Sequence, residues 1–190
     1  MDKQADIYGL VLAGGKSSRM GRDKASIVFH DLPQKDHVFN LLEIFCAKVH
    51  SSIGSNADPK DFKNPITDQL DFATPLNGIL SAFQIQKDVA WLTLPIDMPA
   101  IDAEVIRTLI GGRDKSKVAT CFFDSTGKKP EPLLTIWEKK AVDKLQAFVR
   151  EGHLSPRDFL SISDVKILPS PGADKLRNIN TQDDLRAYDA

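Results

Sequence analysis

Ile7-Tyr8-Gly9-Leu10-Val11-Leu12-Ala13-Gly14-Gly15-Lys16-Ser17-Ser18-Arg19-Met20-Gly21-Arg22-Asp23-Lys24 is the stretch that decides the fold. Residues 7–13 form a short apolar run cut off by a glycine pair, the pattern of a fully buried strand. The glycine-rich segment after it sits where doubly wound sheets bind ligands, at a strand's carboxyl end. Glycines let the backbone turn tightly and bring bare N–H groups up to phosphate oxygens. Ser17 and Ser18 add hydroxyl donors, and Arg19 and Lys24 add positive charge. Such a loop suits a triphosphate. It is not a P-loop, because the position five residues before Gly15-Lys16-Ser17 is Leu10, inside the strand. Nor is it a dinucleotide fingerprint, because its leading glycines are adjacent. Taken alone, the same composition also suits a basic solvated turn.

Working outward, Val38, Leu41, Leu42, Phe45 and Cys46 fall at helical spacing and predict an amphipathic helix over 36–48. Val49–Ile53 reads as a second strand, and residues 54–65 have the composition of an exposed loop. A helix is expected over Pro75–Gln86, then a buried strand over Val89–Leu94 that Pro95 ends. Asp102 opens a helix running to Ile110, which Gly111-Gly112 stops. Val118–Phe123 and Leu133–Ile136 read as strands around a turn containing Gly127 and Pro130. Glu138–Arg150 reads as a helix, Ser155-Pro156 starts a short one, and Val165–Leu168 is a late strand. Thr181-Gln182-Asp183-Asp184 resembles a capping box before a terminal helix. The alternation implies an α/β fold with a mostly parallel sheet, and the close strand pair around 118–136 implies one antiparallel element. There is neither an internal repeat nor a linker long enough to divide the chain.

The chain has 190 residues, of which 42% are hydrophobic and 27% charged, which excludes an intrinsically disordered polymer. Lys plus Arg number 25 against 26 Asp plus Glu, a net charge of −1. Nonspecific nucleic-acid or anionic-membrane binding needs surplus positive charge, so neither partner is expected. Cys46 and Cys121 belong to no C-x-x-C pair and read as buried reduced thiols. Met1–Asp6 is charged and precedes only a short apolar run, unlike a signal peptide, and the cytoplasm is the expected compartment. His30, His37, His50 and His153 lack metal-ligand spacing and read as surface or helix-cap residues. No G-x-S-x-G elbow supports a serine hydrolase.

A second signal is Leu94-Pro95-Ile96-Asp97-Met98-Pro99. Its carboxylate lies just past a buried strand, held between prolines and near the expected ligand edge. Magnesium is commonly bound by one or two carboxylates plus substrate phosphates, so Asp97 alone suffices as a ligand. Spacing alone also allows a turn or N-cap aspartate.

The long form LAGGKSSRMGRDKA, with SSRMG and DKA in register, resembles the signature of the molybdenum cofactor guanylyltransferases, the MobA-like nucleotidyltransferases. The resemblance covers essentially the whole chain, though residues 30–37 lack the family's G-x-P-L. It implies a three-layer Rossmann-like nucleotidyltransferase fold, with 1–190 as a single domain. In this family the loop wraps the nucleotide phosphates and its lysine, here Lys24, contacts them. The implied nucleotide contacts are Leu12, Ala13, Gly14, Gly15, Ser17, Ser18, Lys24, Asp68, Pro75, Leu76, Gly78 and Asp97. Lys24, Arg19 and Asp97 are the implied catalytic groups, and Asp97 the magnesium ligand. Asp68 matches the carboxylate beside guanine, where it would take two N–H bonds. Thr74 stands where the neighbouring G-P-L-x-G segment has its first glycine. Asn178 and Asn180 match N-x-N-T on the acceptor side, where alternation on a strand puts both amides on one face. Glu131 is a further substrate-side residue. The implied reaction joins GMP from GTP to molybdopterin and releases pyrophosphate, with a molybdoenzyme or cofactor-biosynthesis protein as the implied partner. Alternatives are CMP transfer to molybdopterin, nucleotidyl transfer to a sugar phosphate, and a nucleotide-binding accessory protein without turnover.

Overall fold

The computed structural model of the chain describes residues 3–14 and 32–188. Gly15, Ser17, Ser18, Arg19, Lys24 and His30 lie outside the described residues. The strands are β1 (Gln4–Leu12), β2 (Cys46–Ile53), β3 (Pro65–Thr67), β4 (Ala90–Pro95), β5 (Ala119–Phe123), β6 (Pro130–Trp137) and β7 (Val165–Leu168). They form one sheet in the order β3-β2-β1-β4-β6-β5-β7. β6 pairs antiparallel with β4 and β5, and the other pairings are parallel. That is the mostly parallel sheet with one reversed strand which the spacing implies.

Helices α1 (Gln34–Glu43), α2 (Pro75–Ile85), α3 (Ala103–Gly111), α4 (Ala141–Arg150), α5 (Pro156–Ile162) and α6 (Gln182–Tyr188) fill the connections. Two apolar layers result because β-strand side chains alternate between faces. Ile7, Val11, Leu92 and Leu94 pack with α1 and α3 on one face. Leu10, Trp91, Cys121 and Trp137 pack with α2, α4 and α5 on the other. Each fully buried Leu or Ile contributes about 1.5–3 kcal/mol by leaving water. Burial also pushes the Cys46 and Cys121 thiols up to about 12, so both are buried, free and protonated.

Local signals start three of the helices where the sequence indicates. The Asp102 carboxylate accepts from the Glu104 and Val105 N–H groups at the start of α3. The Ser155 hydroxyl accepts from Asp158 N–H ahead of Pro156. Thr181 and Asp184 exchange side chain and backbone bonds, completing a capping box with Asp in place of Glu.

Three expectations need correction. The helix expected over 36–48 stops at Glu43, because Cys46 and Lys48 pair with Gln4 and Tyr8 in the sheet. Tertiary pairing overrides a helical spacing there. The loop over 54–65 runs into β3, an edge strand of three residues, too short to show a period. His50 is neither a surface nor a cap residue; it is half-buried on β2, stacked on Tyr8 and edge-on to Trp91, and burial lowers its pKa.

Candidate active site

At the end of β1 the backbone is stitched to both neighbours. Ala13 N–H donates to the Ser52 carbonyl at 3.1 Å, and Ile96 N–H donates to the Leu12 carbonyl at 3.4 Å. β2 and β3 lie to one side of β1 and β4 to the other, so the strand order turns back at the β1–β4 pair. Ligand crevices of open α/β sheets form at that switch point, outside the carboxyl ends. Gly14 and Asp97 flank it.

On the β2 side, Asp68 N–H donates to the Ile53 carbonyl at 2.9 Å, extending the β2–β3 pairing by one residue. The Ser52 hydroxyl donates to Asp68 Oδ1 at 3.3 Å. A Cβ built on Gly14 would stand 3.9 Å from Asp68 Oδ2, and one on Gly78 would stand 3.5 Å from Oδ1. Gly14, Asp68 and Gly78 therefore converge. The half-buried Asp68 carboxyl is held above its ordinary value, because burial outweighs the Ser52 bond that lowers it. Pro75 is the first residue of α2, and Leu76 is fully buried, so its side chain belongs to the core. The loop between Asp68 and α2 is bolted by Asn77, which accepts from Leu70 N–H at 3.0 Å and donates to the Leu70 and Phe72 carbonyls.

On the β4 side, Asp97 is half-buried two residues past the strand. The β4–β6 register runs through Trp91–Trp137, Leu92–Ile136 and Thr93–Thr135. Past the end of the strand, Asp97 lies close enough to Glu131 for its charge to act on that carboxyl. Glu131 is buried, with its Oε1 accepting from Leu133 N–H at 3.0 Å. Burial pushes its carboxyl up, and the charges of Asp97 and Asp124 add to that effect against the Leu133 bond and Arg157. Arg157, on α5, stands 3.8 Å from both Asp124 and Glu131.

The C-terminal strap reaches the same place. Ile179 N–H donates to the Asp97 carbonyl at 2.8 Å, and Ile179 is buried while Asn178 and Asn180 are exposed. Residues 177–180 are not a strand, contrary to expectation, because their backbone bonds to a loop rather than to a sheet edge. The alternation still turns both asparagines away from the core.

Among the described residues, no group of three His, Cys, Asp or Glu side chains forms a closed metal cage. A hard, hydrated cation that keeps substrate phosphates as ligands needs only one or two carboxylates. Half-buried Asp97, with Glu131 beside it, fits magnesium of that kind.

A sequence profile describing the MobA-like NTP transferase domain matches residues 9–166. The chain belongs to that family. A molybdenum cofactor biosynthesis bifunctional protein from Synechocystis sp. is 29% identical over 184 residues; the match takes in 95% of this chain but 53% of that protein, so the chain spans about half its length. The molybdenum cofactor guanylyltransferase of Cupriavidus metallidurans is 29% identical over 199 residues, covering 100% of this chain and 98% of that one. The crystal structure of molybdopterin-guanine dinucleotide biosynthesis protein A from Archaeoglobus fulgidus shares the fold at a TM-score of 0.72, with 23% identity and 95% coverage of each chain. Membership makes the chain a nucleotidyltransferase-type domain.

Of the residues singled out in the sequence, Gly14, Asp68, Gly78, Asp97, Glu131 and the Asn178–Asn180 strap lie along one edge of the family fold. Ser52, Asn77 and Arg157 were missed. A serine pair closing the otherwise apolar end of β2 was the available signal for Ser52. Nothing local marked Arg157, whose neighbours Asp124 and Glu131 come from distant sequence.

Proposed function

We propose that this chain, as one domain over residues 1–190, transfers GMP from GTP to a molybdopterin-type acceptor, releasing pyrophosphate. The observation that carries the reading is the convergence of Gly14, Asp68 and Gly78 on one side of the β1–β4 crevice with Asp97 and the asparagine strap on the other. A dinucleotide product needs two binding sides with the α-phosphorus between them. The relatives' names support the same chemistry.

In this reading Asp68 accepts the two N–H groups on guanine's pairing edge, and the backbone at Gly14 and Gly15 cradles the phosphates. Lys24, Arg19, Ser17 and Ser18 contact the triphosphate. Asn178 and Asn180 bind the acceptor, with Glu131 a further residue on the substrate side. The acceptor's phosphate oxygen attacks the α-phosphorus in line, and the P–O bond to pyrophosphate breaks. That phosphate is already anionic, so no general base is needed, and catalysis is positioning plus charge stabilisation. Magnesium held by Asp97 and the substrate phosphates would neutralise charge developing on the leaving group. The cytoplasm is the compartment assigned, and a molybdoenzyme or another cofactor-biosynthesis protein would receive the product. No helix among the described residues is long and apolar enough to cross a membrane.

The test is incubation with each of the four nucleoside triphosphates plus molybdopterin and magnesium, reading dinucleotide by mass and pyrophosphate by a coupled assay. GTP-dependent formation of the guanine dinucleotide is expected. Nucleotide binding without pyrophosphate release would reduce the chain to an accessory binder, and a cytosine product would reassign the base.

A further inference from the structure

We propose that Ser52 is a specificity-determining positioning residue: its hydroxyl fixes the plane of the Asp68 carboxylate so that Oδ2 faces the Gly14 end of β1 and reads a base bearing adjacent N–H donors. The inference rests on Asp68 being the residue that meets guanine.

The two oxygens of Asp68 have different surroundings. Oδ1 takes the Ser52 hydroxyl at 3.3 Å and lies on the α2 side, 3.5 Å from where Gly78 would carry a Cβ. Oδ2 lies 3.9 Å from the corresponding point on Gly14. A carboxylate rotates broadly about its last torsion. A flat base edge with two donors in a row needs that rotation stopped, and the Ser52 bond stops it.

Ser52 is itself fixed from two directions. It is 3% exposed at the carboxyl end of β2, where its backbone pairs with Leu12 on one side and Ile66 on the other. Its Oγ occupies the space that a side chain at position 78 would fill, since a Cβ there would overlap it and stand 3.0 Å from the Ser52 Cβ. Gly78 is thus required by the serine rather than by backbone conformation. Its Cα lies in the first turn of α2, whose approach to β2 leaves room for one hydroxyl and nothing more.

The same bond maintains the charge. Burial raises the Asp68 carboxyl and the Ser52 hydroxyl lowers it, and no charged side chain among the described residues enters that balance. A protonated Asp68 would present a donor to the base's own N–H groups and lose its discrimination.

The experiment measures GTP and ATP binding by calorimetry between about pH 4 and pH 8 for the wild-type chain, Ser52→Ala, Gly78→Ala and Asp68→Asn, with thermal unfolding of each. Ser52→Ala should weaken GTP binding by about 5- to 10-fold, as for the loss of a typical intramolecular hydrogen bond, while ATP binding changes by less than about twofold. Its acidic limb of GTP affinity should move to higher pH, because the charged form loses a donor. Gly78→Ala should reproduce both effects by displacing the hydroxyl, and the double variant should be no worse than either single one. If Gly78→Ala unfolds, Ser52→Ala decides alone. Wild-type affinity and limb in Ser52→Ala, or equal losses for GTP and ATP, would overturn the proposal. The control separates the two layers. Should Asp68→Asn keep the wild-type GTP/ATP ratio, the base-reading role of Asp68 falls; should it collapse the ratio while Ser52→Ala does not, Ser52 alone falls.

Discussion

Replacing Arg113 with methionine should destabilise the chain by about 3–5 kcal/mol without touching the ligand edge. Arg113 follows α3, and its partners Asp6 and Glu138 lie at the start of β1 and just past the end of the reversed β6, so the cluster sits at the amino edge of the sheet. The guanidinium binds Glu138 through two parallel bonds of 2.6 and 2.9 Å, with side chains only 7% and 6% exposed. A third bond of 3.0 Å reaches Asp6, which also takes Lys115 at 2.7 Å. Removing the cation strands a carboxylate that water cannot reach, and that penalty dominates. Asp6 is 46% exposed and adds little. Against a total of about 5–15 kcal/mol the loss is large. Urea unfolding followed by circular dichroism measures it, and Arg113→Met/Glu138→Leu should recover most of it, since no buried charge remains. Burial raises the Asp6 carboxyl, but Lys115 and Arg113 together bring it below its ordinary value. Its contribution is therefore present above the ordinary carboxylate range and lost as pH falls through the lowered value, and this acid sensitivity should shrink in Arg113→Met. A cost below about 1 kcal/mol, the range of an exposed pair, would refute the reasoning.

At the ligand edge, Asp97→Asn should nearly abolish turnover while weakening GTP binding much less, because the loop keeps its amides and cations; wild-type turnover would remove Asp97 from the mechanism. Lys24→Ala should cost roughly 100- to 1000-fold in rate, as loss of an electrostatic donor does elsewhere, and a defect of only a few fold in single-turnover kinetics would contradict that role. Asn180→Ala should raise the acceptor KM or lower kcat by several-fold, about 0.5–1.5 kcal/mol for one neutral hydrogen bond, with GTP affinity by calorimetry unchanged. Weaker GTP binding with an unaltered acceptor KM would put the strap on the nucleotide side.

The fold was legible wherever a signal was local. Apolar runs stopped by Gly14 or Pro95 marked β1 and β4, and side-chain caps at Asp102, Ser155 and Thr181 marked three helix starts. It failed at Cys46, where sheet pairing with residues some forty positions away outweighed a helical period, and at β3, whose three residues carry no period at all. The site shows the same division. Asp97 stood out because it follows a strand that ends abruptly at Pro95, whereas Asp68 was marked only by its match to the family motif, since the strand before it left no local signal. Ser52 and Arg157 acquire their surroundings only when distant segments meet, and a polar residue's neighbours across a sheet have no trace in its own stretch of chain.

The reversed direction of β6 has an evolutionary consequence. Its neighbours present their ends to the crevice, whereas β6 presents its beginning, so the tight turn joining it to β5 overhangs the ligand edge. That turn is closed by Asp124, which accepts from Thr126, Lys128 and Lys129 and is also approached at 3.8 Å by Arg157 of α5. The same guanidinium stands 3.8 Å from Glu131, so one cation ties the turn to the strand behind it. Any change of shape along that edge must keep Asp124 and Glu131 within reach of the same arginine, so the hairpin changes as one unit with α5.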